Sequence, residues 1–85
     1  MANLSRDTLR ETVIDAILAV APEADIDALP PDRPWREALE IDSFDFLNIL
    51  VDLEKRLGVS VPESDYHELA TLEGLIDYLE RRLAG

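Results

Sequence analysis

The chain has 85 residues, nineteen acidic against eight basic, a net charge of −11 and no cysteine. A domain of this length buries only about 60–65% of the surface its unfolded chain exposes, so it builds one core and has little room for a deep cleft. The charge repels nucleic-acid phosphates and anionic membranes and favours proteins with basic patches, and without cysteine the chain supplies neither a disulfide framework nor a thiol.

In chain order, the opening "MANLSR" lacks the apolar core of a secretory signal. The segment "SRDTLRETVIDAILAVAP" then places Leu9, Val13, Ala16, Ile17 and Val20 at helical spacing, which predicts an amphipathic helix. Ser5 is its expected N-cap, Asp7 sits in the first turn where the helix dipole favours a negative charge, and Pro22 stops it near Ala21. From Pro22 to Asp42 no regular pattern appears, and Pro30, Pro31 and Pro34 break any helix. So long a loop in a small domain must be pinned or functional. Ile26, Leu29, Trp35, Leu39 and Ile41 are the residues to pin it, with Trp35 a core anchor.

A second helix is expected from Ser43 to Leu57, with Asp42 as N-cap, Asp45 at N3, Lys55 and Arg56 in the last turn and Gly58 just past its end. Pro62 opens a short helical stretch ending near Leu69. The last helix follows Thr71, with Leu72, Leu75, Ile76, Leu79 and Leu83 on one face and Arg81 and Arg82 near its C-terminus. The fold class is therefore all-α: a small four-helix bundle, three long helices and one short, with a long loop between the first and second. No stretch approaches the roughly 18 consecutive apolar residues of a membrane span. A single cytoplasmic, monomeric domain over residues 1–85 is the expectation.

The helix after Ser43 has two apolar stripes. With Phe44 at zero and a step of about 100° per residue, Phe46, Ile49, Leu50, Leu53 and Leu57 fall between about 140° and 240° and form the core face. Phe44, Leu47 and Val51 lie within roughly 60° of zero, nearly opposite. A helix in so small a bundle cannot bury both, so these three form an exposed patch framed by Asp45, Asp52 and Glu54, unless the long loop folds back over it. A lined-up apolar triplet marks a partner site.

Chemistry by the chain itself is poorly supported. A nucleophilic serine needs a base and oxyanion donors, but the one histidine, His67, lies on the short helix. Asp42 and Asp45 read as cap and surface charge, and "DIDALPPDRPWR" lacks the glycine and glutamate of a calcium loop. No catalytic and no metal-ligating set is assigned. What remains is Ser43 as a substrate, at a helix N-terminus where backbone N–H groups and the dipole favour a phosphate.

At these residues the chain resembles the acyl carrier protein family, whose signature is Gly-x-Asp-Ser-Leu. Here that stretch is "EIDSF", Glu40 to Phe44. "RPWREALEIDS", "LVDLEKRLGVSVP" and "TLEGLIDYLERRL" are similar to the family's flanking segments, and the register holds without a gap from about Trp35 to Leu79. The resemblance implies that Ser43, flanked by Asp42, receives 4′-phosphopantetheine from coenzyme A through a phosphopantetheinyl transferase. The imported thiol would carry acyl groups as thioesters, without the chain being an enzyme. It also implies that Asp45, Asp52 and Glu54, with Asn48 beside them, meet basic patches on acyl-loading and acyl-processing enzymes of fatty-acid, polyketide or related synthesis, while Phe44, Leu47 and Val51 fill apolar hollows.

Two departures stand out: Glu40 replaces the usual glycine, so the turn before Ser43 is expected to differ, and Phe44 replaces the usual leucine. Phe46, Leu50, Leu69 and Ile76 would line a cargo space between helices, or exclude cargo by their bulk. An unmodified acidic interaction module and an aminoacyl or peptidyl carrier are the alternatives.

Overall fold

A computed structural model describes residues 5–30 and 32–84. The readings of the first four residues and of Pro31 lie outside the described residues. Helix α1, Arg6–Val20, starts at Ser5, whose hydroxyl accepts from the Thr8 N–H, and ends at Ala21. Helix α3, Ser43–Leu57, is capped by Asp42 and closed by Gly58, which takes the left-handed conformation at φ 73°. Helix α4, Leu72–Ala84, begins where the Thr71 hydroxyl accepts from the Gly74 N–H at 3.0 Å. The short fourth helix of the bundle, Glu63–Leu69, is 3₁₀. Seven residues is long for that form. It is held at Tyr78, whose hydroxyl donates to Asp65, and at Arg81, which pairs with Glu68.

The stretch from Pro22 to Asp42 is more ordered than its sequence pattern implies. It holds a 3₁₀ turn, Ile26–Ala28, capped by Asp25, and a one-turn helix α2, Trp35–Ala38, entered from Pro34. Neither is long enough to generate a readable periodicity, which is why the sequence shows only breakers. An isolated antiparallel bridge joins Pro34 to Thr71, and the Trp35 N–H donates to the Ala70 carbonyl at 3.2 Å. These contacts tie the loop to the junction ahead of α4.

Helix α1 packs against both α3 and α4, and the Glu63–Leu69 helix packs against α4. The core takes Leu9, Val13, Ala16 and Ile17 from α1, Phe46, Ile49, Leu50 and Leu53 from α3, and Leu72, Leu75, Ile76 and Leu79 from α4. These are the faces the helical spacing predicts, with Leu57, Val20 and Leu83 packed half-buried at the margin. Trp35 is fully buried and its indole N–H donates to the Leu69 carbonyl at 2.7 Å. Ile41 is buried, while Ile26, Leu29 and Leu39 lie half-buried against the core. Among the described residues no helix is long and apolar enough to cross a membrane.

Candidate functional site

Ser43 owes its position to how α2 ends. The Ile41 N–H donates to the Arg36 carbonyl at 2.8 Å and the Glu40 N–H to the Glu37 carbonyl at 3.2 Å. This pair of bonds, six-to-one and five-to-two, is a Schellman closure, and it requires a left-handed residue between helix and exit. Glu40 is that residue, at φ 56°. Glutamate here adopts the left-handed conformation that glycine favours, and the residue accepts the strain. Burial of Ile41 just beyond draws the chain back to the core, so that Asp42 arrives at φ −79°, ψ 176° as the N-cap of α3.

The Asp42 carboxylate accepts from the Asp45 N–H at 2.8 Å, and the Asp42 carbonyl accepts from the Phe46 N–H at 2.9 Å. Ser43 is then the first helical residue, and it is exposed. A helix leaves its first N–H groups without intrahelical partners, and they face the same end as the Ser43 hydroxyl. The Ser43 Oγ accepts a hydrogen bond from Arg36 Nη2 at 3.2 Å, which leaves the hydroxyl proton free to be donated elsewhere.

Arg36 is held by more than Ser43. Its guanidinium lies over the Phe46 ring, 4.3 Å from the centroid, a cation–π arrangement. Phe46 is itself fixed by Trp35, with centroids 5.7 Å apart, and by Tyr66 in an edge-to-face contact at 5.2 Å. The Arg36 Nε is buried and has no hydrogen-bond partner. Beside this stack, a groove of about 330 Å3 is lined by Arg36, Ser43, Phe46, Leu47, Glu63 and Tyr66. A second cavity of about 350 Å3 shares Arg36, Phe46 and Tyr66 and reaches Ile41, Leu69 and Ala70. The four residues expected to border or block a cargo space, Phe46, Leu50, Leu69 and Ile76, are all buried in the core, and Phe46 and Leu69 also line this second cavity.

The outer stripe of α3 stays open. Phe44 is 73% exposed, Leu47 45% and Val51 48%, so the long loop does not cover them. Asn48 and Glu54 are exposed beside the stripe and Asp45 is half-buried in the first turn. Asp52 is already engaged, accepting from Arg56 Nε at 2.9 Å one helical turn on. His67 is exposed on the Glu63–Leu69 helix.

The structure thus brings Asp42, Ser43, Phe44, Asp45 and Leu47 together on the first turns of one helix. The reading of the sequence missed Arg36, Tyr66 and Glu63. Arg36 and Ser43 lie seven residues apart across a helix end, a separation that carries no periodic signal, and Tyr66 joins them only through the packing of Phe46.

A family model described as the phosphopantetheine attachment site matches residues 9–79. The chain is 27% identical over 73 residues to an acyl carrier protein of Rubrobacter xylanophilus, across 82% of this chain and 90% of that protein. It is 31% identical over 80 residues to the polyketide-8 synthase acyl carrier protein 2 of Streptomyces avermitilis, across 94% of this chain and 86% of that one. The mitochondrial acyl carrier protein of Saccharomyces cerevisiae is 30% identical over 81 residues, across 92% of this chain and 65% of its own.

Proposed function

Because this chain belongs to the phosphopantetheine attachment family, whose members are carriers and not catalysts, we propose that Ser43 is the residue bearing its phosphopantetheine group. The observation that carries this reading is an exposed Ser43 hydroxyl at the first position of α3, directly after the capping Asp42. The residues present fit such a group. An exposed hydroxyl is accessible to a transferase, free N–H groups at the helix start favour the phosphate, and the groove lined by Phe46, Leu47 and Tyr66 gives an apolar path away from it.

In the modification, the Ser43 Oγ–P bond forms as the pyrophosphate bond of coenzyme A breaks. The adenosine bisphosphate leaves with the bonding electrons, and the hydroxyl proton passes to the transferase. The group, once bound, supplies the thiol on which acyl chains are carried as thioesters. The protein's own residues do the rest. Asp42 fixes the start of α3, Arg36 orients the hydroxyl, and the outer stripe of α3 meets the partner enzyme. Phe44, Leu47 and Val51 provide the apolar contact, with Asn48 at their edge. Asp45, Glu54 and the Arg56-paired Asp52 provide charge that steers basic patches. Residues 1–85 are proposed as one carrier domain, a cytoplasmic monomer working in fatty-acid, polyketide or related synthesis.

The test is intact mass after incubation with coenzyme A and a promiscuous phosphopantetheinyl transferase. One phosphopantetheinyl increment is expected on the native protein and none on folded Ser43→Ala. An unmodified, folded native protein would instead favour an acidic interaction module. Charge reversal at Glu54 is expected to weaken partner binding while leaving modification by a promiscuous transferase intact.

A further inference from the structure

We infer that Arg36 is an anion clamp for the phosphodiester on Ser43, gripping it through the edge formed by Nε and Nη2. This rests on Ser43 being the attachment residue. The first support is geometric. Nη2 donates to the Ser43 Oγ at 3.2 Å, and in a guanidinium the Nε–H lies parallel to one Nη2–H along the same edge. The Nη2 end of that edge therefore touches the oxygen that would become the ester oxygen. Two parallel donors on one edge match two oxygens of a phosphate, the pairing at which arginine surpasses lysine.

The second support is an unmet demand. The Arg36 Nε is buried without a hydrogen-bond partner, and such a donor ordinarily finds one, because leaving it unpaired is unfavourable. Among the described residues, Arg6, Arg10, Arg56 and Arg81 each form an ion pair with an acidic side chain, whereas Arg33 and Arg82 form none. Arg36 forms no such pair, although the cavities beside it are bordered by Glu37 and Glu63. Its charge is held over the Phe46 ring at 4.3 Å, which orients the guanidinium without neutralising it.

The third support is electrostatic. A phosphodiester adds a negative charge next to Asp42 and Asp45, on a chain of net charge −11. Like charges that close repel. Among the described residues, Arg36 is the one basic residue lining the groove beside Ser43, so the countercharge already stands at the point where the new charge arrives. Phe46 and Tyr66 then border the path of the arm beyond the phosphate.

The test uses the 15N-labelled native protein in unmodified and transferase-modified forms, with conversion followed by intact mass. On modification the Arg36 Hε resonance is expected to shift downfield and its exchange with water to slow. The 31P resonance of the diester is expected to move between native protein and Arg36→Lys, which keeps the charge and loses the edge. In Arg36→Gln, modification is expected to lower the thermal midpoint relative to its effect on the native protein. An Arg36 Hε unchanged at full conversion overturns the clamp and leaves the assignment of Ser43 standing. Absence of the mass increment overturns both. Should Arg36→Gln fail to fold, the two forms of the native protein decide the matter alone.

Discussion

Glu40 holds a left-handed backbone, φ 56°, in the turn that delivers Ser43. Outside glycine that region is unfavourable by roughly 1–2 kcal/mol, whereas glycine enters it freely and loses more entropy on folding. The balance predicts that Glu40→Gly raises the unfolding free energy by up to about 1 kcal/mol, measured by urea denaturation. Glu40→Val, β-branched and worse suited to positive φ, should lower it. The Ser43 Oγ contact with Arg36 depends on the same turn, because the Arg36 carbonyl receives the Ile41 N–H. One strained residue thus places both partners of the proposed clamp. Two residues further on, Phe44 and Phe46 split their roles by helical geometry: Phe44 is 73% exposed and Phe46 3%.

At the scale of elements, α3 is positioned by what precedes it as much as by its own sequence. Trp35, on a helix of only four residues, is fully buried, bonds the Leu69 carbonyl and packs at a tilt against Phe46. It therefore joins three segments: the long loop, the 3₁₀ helix and α3. Trp35→Phe keeps an aromatic ring but leaves a buried carbonyl unpaired, and should lower stability by about 1–3 kcal/mol. Trp35→Ala also opens a cavity and should lower it by about 3–5 kcal/mol. Calorimetric unfolding of the two variants separates the hydrogen bond from the packing. Fluorescence of this single tryptophan gives a direct probe of the native junction.

Across the whole molecule, α1 and α4 are fastened at one end by a cluster of charges. Arg6 pairs with Glu73, Asp77 and Glu80, each at 2.7 Å, and Arg10 pairs with Glu73 as well. The hydrogen bonds from Arg6 and then Arg10 hold the Glu73 carboxyl below the usual carboxylate range, against a smaller opposing effect of burial. Arg6 is raised in turn, mainly by its bonds to Glu73 and Asp77. The Glu73 contribution is present above the ordinary carboxylate pKa and is lost as pH falls through its lower folded value. That of Arg6 is present at every pH below the ordinary arginine pKa, so only the acid side of the profile is affected. The thermal midpoint should fall as pH drops through and below about 4. Glu73→Gln should lower it at pH 7, with the difference from native shrinking on the acid side.

The sequence by itself determined the helices, their caps and their faces, because the signals are local: periodicity sorts Phe46 from Phe44, and Ser5, Asp42 and Gly58 mark ends within a turn of their effect. It also carried the family likeness, which lies in short spacings around Asp42 and Ser43. Tertiary structure alone decided the order in the Pro22–Asp42 stretch, where turns of three and four residues leave no period to read. It decided that Glu40 keeps a glycine-like backbone, since strain at one residue is tolerated only when surrounding bonds and the buried Ile41 fix the turn. It decided, finally, that Arg36 meets Ser43 over the Phe46 ring. That contact depends on how a four-residue helix docks against a neighbour, and docking is set by packing between segments that no local pattern encodes.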